Sequence, residues 1–488
     1  MPTSTADSLR WFIPELVLGG GALAVFLLDL FARGARRAQV VTIASLLVLA
    51  GSGLALALEP PGASSLFGGL LAHDGPRAYF GALFLCAAAL ALLVGHGSDA
   101  LGLRRAGDFA GLVLTLTFGM FVLAEASDLL LLYLGLEAVS LPSYALVGLV
   151  RGSRRSSEAA LKYLVYGGVA SAVLLYGLSL LFGLLGTTHL AGGALQQAAT
   201  FVSLGGPALR LGYTLALLFI LAGLSFKVGA APFHQWVPDA YEGAPTPVAL
   251  LLSIGPKLAG FAALLRLLTA LRLQGPLAVD WPLILGVLAL LTMTLGTLGA
   301  FPQTNLKRLL AWSSIAHAGY LLLGLAAANT PGAEALLVYA AAYLLLNAGA
   351  FTAVDAIERC AGGDLDQAKG LSKRAPLLAF TFALFLFGLV GLPPFAGFPG
   401  KLLLFSSLLE RGGAWPVMLA LASVLYSAMS LYLYARVLRA MFVDMSTNPA
   451  PLELPRVHRA LLVLLAGASV ALGLWWSPLL RAAAAALG

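Results

Sequence analysis

Residues 211–257 read LGYTLALLFILAGLSFKVGAAPFHQWVPDAYEGAPTPVALLLSIGPK. The first part, Leu211 to Phe226, is an apolar run that at about 1.5 Å per residue covers most of a bilayer's hydrocarbon core. Lys227 ends it. The following segment holds Pro232, Pro238, Pro245 and Pro247, each of which removes a backbone N–H. Backbone interrupted in this way survives in a membrane only where protein or water satisfies the freed carbonyls, never against lipid. A second apolar run then begins at Val248 and carries Lys257. This is the pattern of a broken transmembrane helix beside a cavity.

The rest of the chain repeats that hydropathy. Of 488 residues, 60% are apolar and 10% charged, with a mean hydropathy of +0.93. An average soluble protein carries roughly 25% charged residues. Length alone suggests about three soluble domains, but apolar blocks of roughly 18–25 residues recur from end to end. The composition excludes a soluble enzyme, a disulfide-stapled secreted domain and a nucleic-acid-binding protein.

The expected fold is an all-α polytopic membrane protein of about fourteen transmembrane helices. The spans are 10–30, 39–58, 78–96, 109–126, 128–150, 160–186, 210–230, 245–270, 280–300, 304–327, 333–357, 376–400, 415–441 and 460–485. The seventh and twelfth are interrupted. Before Lys401 stands GLPPFAGFPG, with Pro393, Pro394 and Pro399. Paired Gly/Pro-interrupted helices carrying ions in two halves mark repeat-built transporters. The expected organisation is therefore a three-helix segment over 1–108, five-helix repeats over 109–270 and 280–441, and a C-terminal helix over 442–488. Five crossings per repeat invert one repeat relative to the other.

Charge distribution sets the expected orientation. Loops after odd-numbered spans hold 19 of the 29 Lys and Arg, and the opposite face holds 7. By the positive-inside rule the odd loops face the cytoplasm and both termini face outward, the periplasmic side. The first apolar segment is read as a span rather than a detachable signal peptide. The chain's two cysteines, Cys86 and Cys360, are too few for an iron–sulfur cluster with the usual four thiolates, and Cys86 reads as a small buried hydrophobe. Gly19-Gly20-Gly21 follows no strand and reads as close helix packing, not a phosphate loop. No two histidines have metal-ligand spacing.

Ionisable side chains at mid-membrane cost at least about 2.5–3.5 kcal/mol on insertion scales, so each implies a partner, water or a function. Glu137, in LLLYLGLEAVSLPSYALVG, lies centrally in the fifth span, with Pro142 about one turn later. Lys227, Lys257 and Lys401 complete the set. The bland explanation is a static ion pair, or a lysine snorkelling to the interface. Three lysines and a glutamate in an otherwise bare interior fit a proton relay better, because lysine changes protonation readily when a carboxylate approaches or withdraws. His317, in LLAWSSIAHAGYLLLGL, can donate and accept, although a lone core histidine is often simply hydrogen-bonded. Candidate proton-entry residues are Glu158 and Lys162, four apart at the start of the sixth span, and His234 in the proline-rich segment. For the first two, a helix-stabilising ion pair is the simpler account.

FKVGAAPFHQWVPDAYEGAPTPV, LGLEAVSLPSYALVG, SSEAALKYLVYGGVASA and GLPPFAGFPGK together resemble the antiporter-like subunits of proton-pumping NADH–quinone oxidoreductase, respiratory complex I. The resemblance covers essentially the whole chain. Its length, the lack of a long C-terminal lateral helix, and Lys401 where M-type subunits have Glu point to the N-type subunits. The resemblance implies inverted repeats, a Glu–Lys pair at Glu137 and Lys227, a central Lys257, a connecting His317 and an exit Lys401. Protons would enter from the cytoplasm near Lys227, pass Lys257 and His317, and leave through Lys401. It also implies that NADH, flavin and iron–sulfur clusters belong to partner subunits, that quinone is used by the complex, and that this chain holds no cofactor or metal. The expected partners are other complex I membrane subunits and the lipid of a bacterial inner membrane. Two other readings stand beside it: a subunit of a multisubunit sodium/proton antiporter, and a passive scaffold whose polar residues only stabilise packing.

Overall fold

The computed structural model describes residues 5–32, 36–59, 64–96, 98, 105–190, 200, 204–271, 280–446 and 450–488. Arg33, Arg104 and Arg272, which enter the charge count, lie outside these residues. A short helix, α1 (Thr5–Trp11), leads into α2 (Ile13–Phe31) and α3 (Arg37–Ala57). A two-stranded antiparallel hairpin follows, β1 (Ser64–Leu66) with β2 (Leu71–His73), pairing Ser64 with His73. Then come α4 (Gly75–Gly95), α5 (Ala106–Glu125), α6 (Leu129–Val147), α7 (Arg154–Leu185), α8 (Pro207–Val228), α9 (Trp236–Gly243) and α10 (Thr246–Leu271). The second half comprises α11 (Trp281–Ala300), α12 (Leu306–Ala326), α13 (Thr330–Ala361), the single turn α14 (Leu371–Arg374), α15 (Pro376–Val390), α16 (Gly397–Arg411) and α17 (Ala414–Phe442). The chain closes with α18 (Arg456–Leu474) and α19 (Ser477–Leu487).

Thirteen of these helices are long and apolar enough to cross a membrane, and the broken pair α15/α16 supplies the fourteenth crossing. Their starts are set by short polar side chains that accept the first free N–H groups. Asp128 caps α6, Ser153 caps α7, Asn305 caps α12 and Asn329 caps α13. The first five-helix unit runs from α5 to α10, with α8 and α9 as its broken member. The second runs from α11 to α17, with α15 and α16 in that role. In each unit two helices of about twenty residues precede a 32-residue helix, α7 or α13, which precedes the broken one. Both breaks open with Gly-X-X-Pro-Phe, at Gly229–Phe233 and Gly391–Phe395. An odd number of crossings makes the second unit run opposite to the first.

Several expectations change. Lys227 and Lys401 do not occupy corresponding places: Lys227 precedes its break at the end of α8, whereas Lys401 follows its break inside α16. The twelfth span, expected to end near residue 400, continues to Arg411. The last span is two helices: the chain leaves helical geometry at Trp475, and Pro478, with no N–H to give the Leu474 carbonyl, sits in the first turn of α19, where that loss is tolerated. Cys86 is exposed on the outer side of α4 rather than buried. Within the glycine run, Gly21 is where α2 meets Val48 of α3 closely: a Cβ there would stand 2.3 Å from the Val48 side chain. The three-residue strands were too short for alternation to betray them.

The core is centred on α10, which is buried along its whole apolar length, with α12 and α13 nearly as enclosed. The first and last described helices, α1 and α19, meet one face of the bundle. There the α1 residue Trp11 packs on His73 with ring centroids 4.8 Å apart, and α19 lies against Gly75 at the start of α4.

Candidate functional site: a buried lysine file

The three intramembrane lysines are fully enclosed: Lys227, Lys257 and Lys401 are 0%, 1% and 4% exposed. Their ammonium groups meet neutral oxygens. Lys227 Nζ donates to Ser140 Oγ at 2.9 Å. Lys257 Nζ donates to the Ser314 carbonyl at 3.0 Å and to Ser314 Oγ at 2.6 Å. Lys401 Nζ donates to the Val390 carbonyl and Ser427 Oγ, both at 2.9 Å, and lies 4.1 Å from the centroid of the Tyr320 ring. The Val390 carbonyl is one that the break after α15 leaves for such use. A cation over an aromatic face is held without a counter-charge.

Proline places the central lysine. Pro256 has no N–H, so the Leu252 carbonyl one turn earlier has no partner within α10. Tyr241 Oη donates to that carbonyl at 3.1 Å, and Tyr343 Oη donates to the next one, Ser253, at 3.1 Å. Tyr343 Oη also lies 2.8 Å from Ser314 Oγ, whose hydroxyl can donate to it, and Asn347 Nδ2 donates to Ser253 Oγ at 2.5 Å. Thus the proline inside α10 draws polar side chains from α9, α12 and α13 around Lys257. On the other broken helix, the free Ala231 N–H donates to Thr292 Oγ1 at 3.0 Å, and Trp236 Nε1 donates to the Phe226 carbonyl at 3.1 Å.

His317 joins the two far lysines. It follows Ser314 by one turn on α12, its Nδ1 is 2.6 Å from Tyr339 Oη, and its ring is 5.3 Å from that of Tyr343 and 5.8 Å from that of Tyr320. Tyr320 in turn bonds Ser427 at 3.0 Å and underlies Lys401. Lys257, Ser314, Tyr343, His317, Tyr339, Tyr320, Ser427 and Lys401 therefore form one file, in which hydrogen bonds are joined by ring contacts at Tyr343–His317 and at Tyr339–Tyr320, the latter 6.2 Å between centroids. Lys227 and Lys257 approach through glycine: a Cβ on Gly229 would stand 3.3 Å from Lys257 Nζ, and one on Gly260 would stand 3.5 Å from the Lys227 stem.

The expected Glu137–Lys227 ion pair is not in direct contact. Glu137 is half-buried and accepts a hydrogen bond from Ser171 of α7, while Lys227 reaches Ser140, one turn further along α6. In the second unit, the motif SYALVGL after Glu137 is matched by GYLLLGL, which places Ser313 where the first unit has Glu137. Ser313 Oγ is 2.5 Å from Tyr434 Oη, so at that position the second unit has a hydroxyl pair where the first has a carboxylate.

The family described as NADH:quinone oxidoreductase/Mrp antiporter, TM, matches residues 126–429, which contain Glu137 and the file from Lys227 to Ser427. NADH-quinone oxidoreductase subunit N from Anaeromyxobacter sp. is 46% identical over 97% of this chain and 95% of its own length. This chain belongs to the subunit N family. A chain of respiratory complex I from Thermus thermophilus superposes with a TM-score of 0.80 at 36% identity, covering 97% of this chain and 100% of that one. A chain of the Mrp complex from Dietzia sp. gives a TM-score of 0.83 at 22% identity, over 98% of this chain and 97% of that one, a likeness of fold.

In this family member, the suggested entry residues fall into two settings. Glu158 and Lys162 pair at 2.9 Å on the surface, as helix spacing requires, but Lys162 also binds Asp239 of α9 at 3.0 Å. Arg308 of α12 binds the same Asp239 at 2.6 Å and Glu242 at 2.9 Å. These bonds clamp the mouth of the break to both units. His234 is buried rather than interfacial, 5.5 Å from the Trp312 ring, and its Nδ1 has no hydrogen-bond partner among the described residues.

Sequence reasoning missed Ser140, Ser314, Tyr320, Tyr339, Tyr343 and Ser427, because lone Ser and Tyr residues are ordinary in apolar helices. The signal was their spacing: Tyr339, Tyr343 and Asn347 recur every fourth residue along one side of α13.

Gly229 offers a test of how tightly the file is held. Its φ of +73° costs an alanine about 1–2 kcal/mol, and the added methyl would press on Lys257. Gly186, at φ +68° with nothing within 4 Å, carries the same backbone cost without that contact. Gly229→Ala, whose methyl would also stand 3.0 Å from Val237, is expected to lose more thermal stability than Gly186→Ala and to lower proton transport well below it. Equal transport in the two variants would show that Lys257 tolerates displacement.

Proposed function

We propose that this chain is a proton-translocating membrane subunit of NADH–quinone oxidoreductase, coupling quinone reduction elsewhere in the complex to proton movement through Lys227, Lys257, His317 and Lys401. One observation carries this reading: three lysines buried at membrane depth are held by hydroxyls, carbonyls and a ring face, and no ion pair joins any of them to a carboxylate among the described residues. A structural lysine in that setting needs a counter-charge, because an unpaired buried charge is destabilising. A lysine that gains and loses a proton does better among neutral partners that suit both forms.

Glu137 belongs to the same reading through Ser140 and Ser171. Its half-buried position lets it alternate between approaching Lys227 and withdrawing, and each unit of pKa change so produced is worth about 1.4 kcal/mol. Driving one charge against 100 mV takes about 2.3 kcal/mol, so a swing of a few units is sufficient. Glu158, Lys162 and His234 line the approach to Lys227 from the Lys/Arg-rich side, which we assign to the cytoplasm, with both termini on the periplasmic side of the bacterial inner membrane. The five-helix division at residues 109–270 and 280–441 gives each half its own broken helix. Other membrane subunits of the complex are the partners, while NADH, flavin and iron–sulfur clusters reside in chains other than this one.

Lys257→Met in the assembled complex, reconstituted into sealed vesicles, tests the reading. NADH-driven proton uptake independent of sodium is expected in the wild type, and a fall of about tenfold or more is expected in the variant, since each 1.4 kcal/mol of added barrier is tenfold in rate. Full uptake by the variant would favour a passive scaffold, and a strict sodium requirement would favour the antiporter.

A further inference from the structure

A second buried polar cluster lies outside the lysine file, on the face met by α1 and α19. Its centre is Arg77 of α4, 1% exposed. A guanidinium has five N–H donors, and here all five are taken. Nε donates to Glu125 Oε1 at 2.9 Å, and Nη2 donates to Glu15 Oε1 at 2.7 Å and to the Trp11 carbonyl at 3.2 Å. Nη1 donates to Glu59 Oε2 and to His73 Nδ1, the latter at 3.0 Å. The second oxygens of Glu15, Glu59 and Glu125 are buried and have no hydrogen-bond partner among the described residues. Arg77 has nothing left to give them.

Charge counting gives the consequence. Burial and the adjacent Arg77 hold His73 below its usual range, so it is neutral and accepts from Nη1. Three ionised carboxylates against one guanidinium would then leave two net negative charges enclosed in protein. Glu15 and Glu125, both 0% exposed, share the Nε/Nη2 edge that a single carboxylate ordinarily takes in a bidentate pair. Two carboxylates forced together cannot both ionise, and one proton between them satisfies both orphan oxygens.

The cluster also has an outlet. Glu59, whose carboxyl burial pushes above the usual carboxylate range, lines a cavity of about 760 Å³ together with His73, Asp74, Arg266 and the C-terminal residues Ala485–Gly488. It lines a second one of about 660 Å³ beside Asp7, Arg10 and Trp11. On the inner side, Arg266 of α10 binds Asp74 at 2.8 and 3.0 Å and donates to the Ala124 carbonyl, next to Glu125, at 2.8 Å. Arg266 is nine residues beyond Lys257, about 14 Å along the same helix.

We propose that Glu15 and Glu125 hold one proton between them against Arg77, and that Glu59 relays it to water in the terminal-face cavity, making this cluster a proton-release site separate from Lys401. In the release step the Glu125 O–H bond breaks, the proton passes by way of the Glu59 carboxylate to water, and Glu125 is left as the carboxylate facing Arg77. The release role rests on the translocation reading above; the shared proton does not.

Infrared spectroscopy of the purified complex separates the two. The wild type is expected to show a protonated-carboxyl C=O band, shifted in D2O, that disappears in Glu125→Gln and in Glu15→Gln but persists in Lys227→Met. A band retained in full in both glutamate variants would overturn the shared proton. Should neither variant assemble, the wild-type band decides: it is expected to fall as the pH is raised, and a constant band overturns the exchange. For release, Glu59→Gln is expected to slow proton appearance outside sealed vesicles about tenfold at unchanged carboxyl band. Unchanged release would overturn the outlet while leaving the effect of Lys257→Met, and with it the translocation reading, standing.

Discussion

Lys227→Met is expected to stop proton transport through the first half of this chain while leaving the chain folded. The side chain is fully buried, and its ammonium has Ser140 Oγ as its hydrogen-bond partner. Methionine copies most of the lysine's length and apolar stem, which packs beside Gly260. Removing the charge strands no ion-pair partner, since Glu137 is bonded to Ser171 instead. Removing it does take away the place where a proton can rest between Glu137 and Lys257. A proton crossing that gap would then be an unsupported charge in the membrane interior, at an added cost of about 3 kcal/mol, or about a hundredfold in rate. Proton flux and quinone reduction, measured together in vesicles holding the assembled complex, decide it. Lys227→Arg is not expected to restore flux, because a guanidinium does not release its proton at physiological pH. Undiminished flux in Lys227→Met with full assembly would end the relay hypothesis for this residue.

The lysines were legible in the sequence for the same reason that they matter. Lys227, Lys257 and Lys401 interrupt apolar runs, and each stands near proline, so a residue-by-residue reading of cost against length finds them. The fourteen crossings and both breaks follow from the same arithmetic. What the sequence could not show is contact. Tyr320 serves Lys401 through its ring face and bonds Ser427 through its hydroxyl, yet in the sequence it is one of 14 tyrosines with nothing to distinguish it. The position of Glu137 shows the same limit. Its spacing within the fifth span says that it is central, but whether it meets Lys227 depends on the rotation of α6 against α7 and α8, and the structure turns it toward Ser171. The offset between Lys227 and Lys401 was hidden because proximity to a break looks alike on either side of it.

Arg77 was misread for a different reason. It stands three residues into α4, and Glu15 and Glu125 also lie within a turn of a helix end. Charges so placed look like loop charges, and Arg77 entered the topology count as one. Only the convergence of α2, α4 and α5 on the terminal face, with Glu59 beyond α3, turns four ordinary end-of-span charges into one enclosed group.

That convergence makes Arg77→Met the substitution with the greatest expected effect on stability. It removes five hydrogen bonds and leaves Glu15, Glu59 and Glu125 without a cation. Breaking a buried ion pair by deleting one partner costs about 3–5 kcal/mol, because the remaining charge is uncompensated, and here three carboxyls lose the same partner. Protonation of all three would relieve the charge but not the lost donors. The expected result is a sharp fall in the amount of chain retained in the membrane complex and a lower thermal midpoint for what remains. Glu125→Gln added to Arg77→Met removes one of the stranded carboxyls and supplies an amide N–H to Glu15, so partial recovery is expected. The two changes touch the same network and should not add. Lys227→Met, by contrast, is expected to leave assembly near wild type while removing transport. If Arg77→Met assembles as well as Lys227→Met, the terminal-face cluster is held by something other than its guanidinium, and the count of five saturated donors against three orphan oxygens no longer describes it.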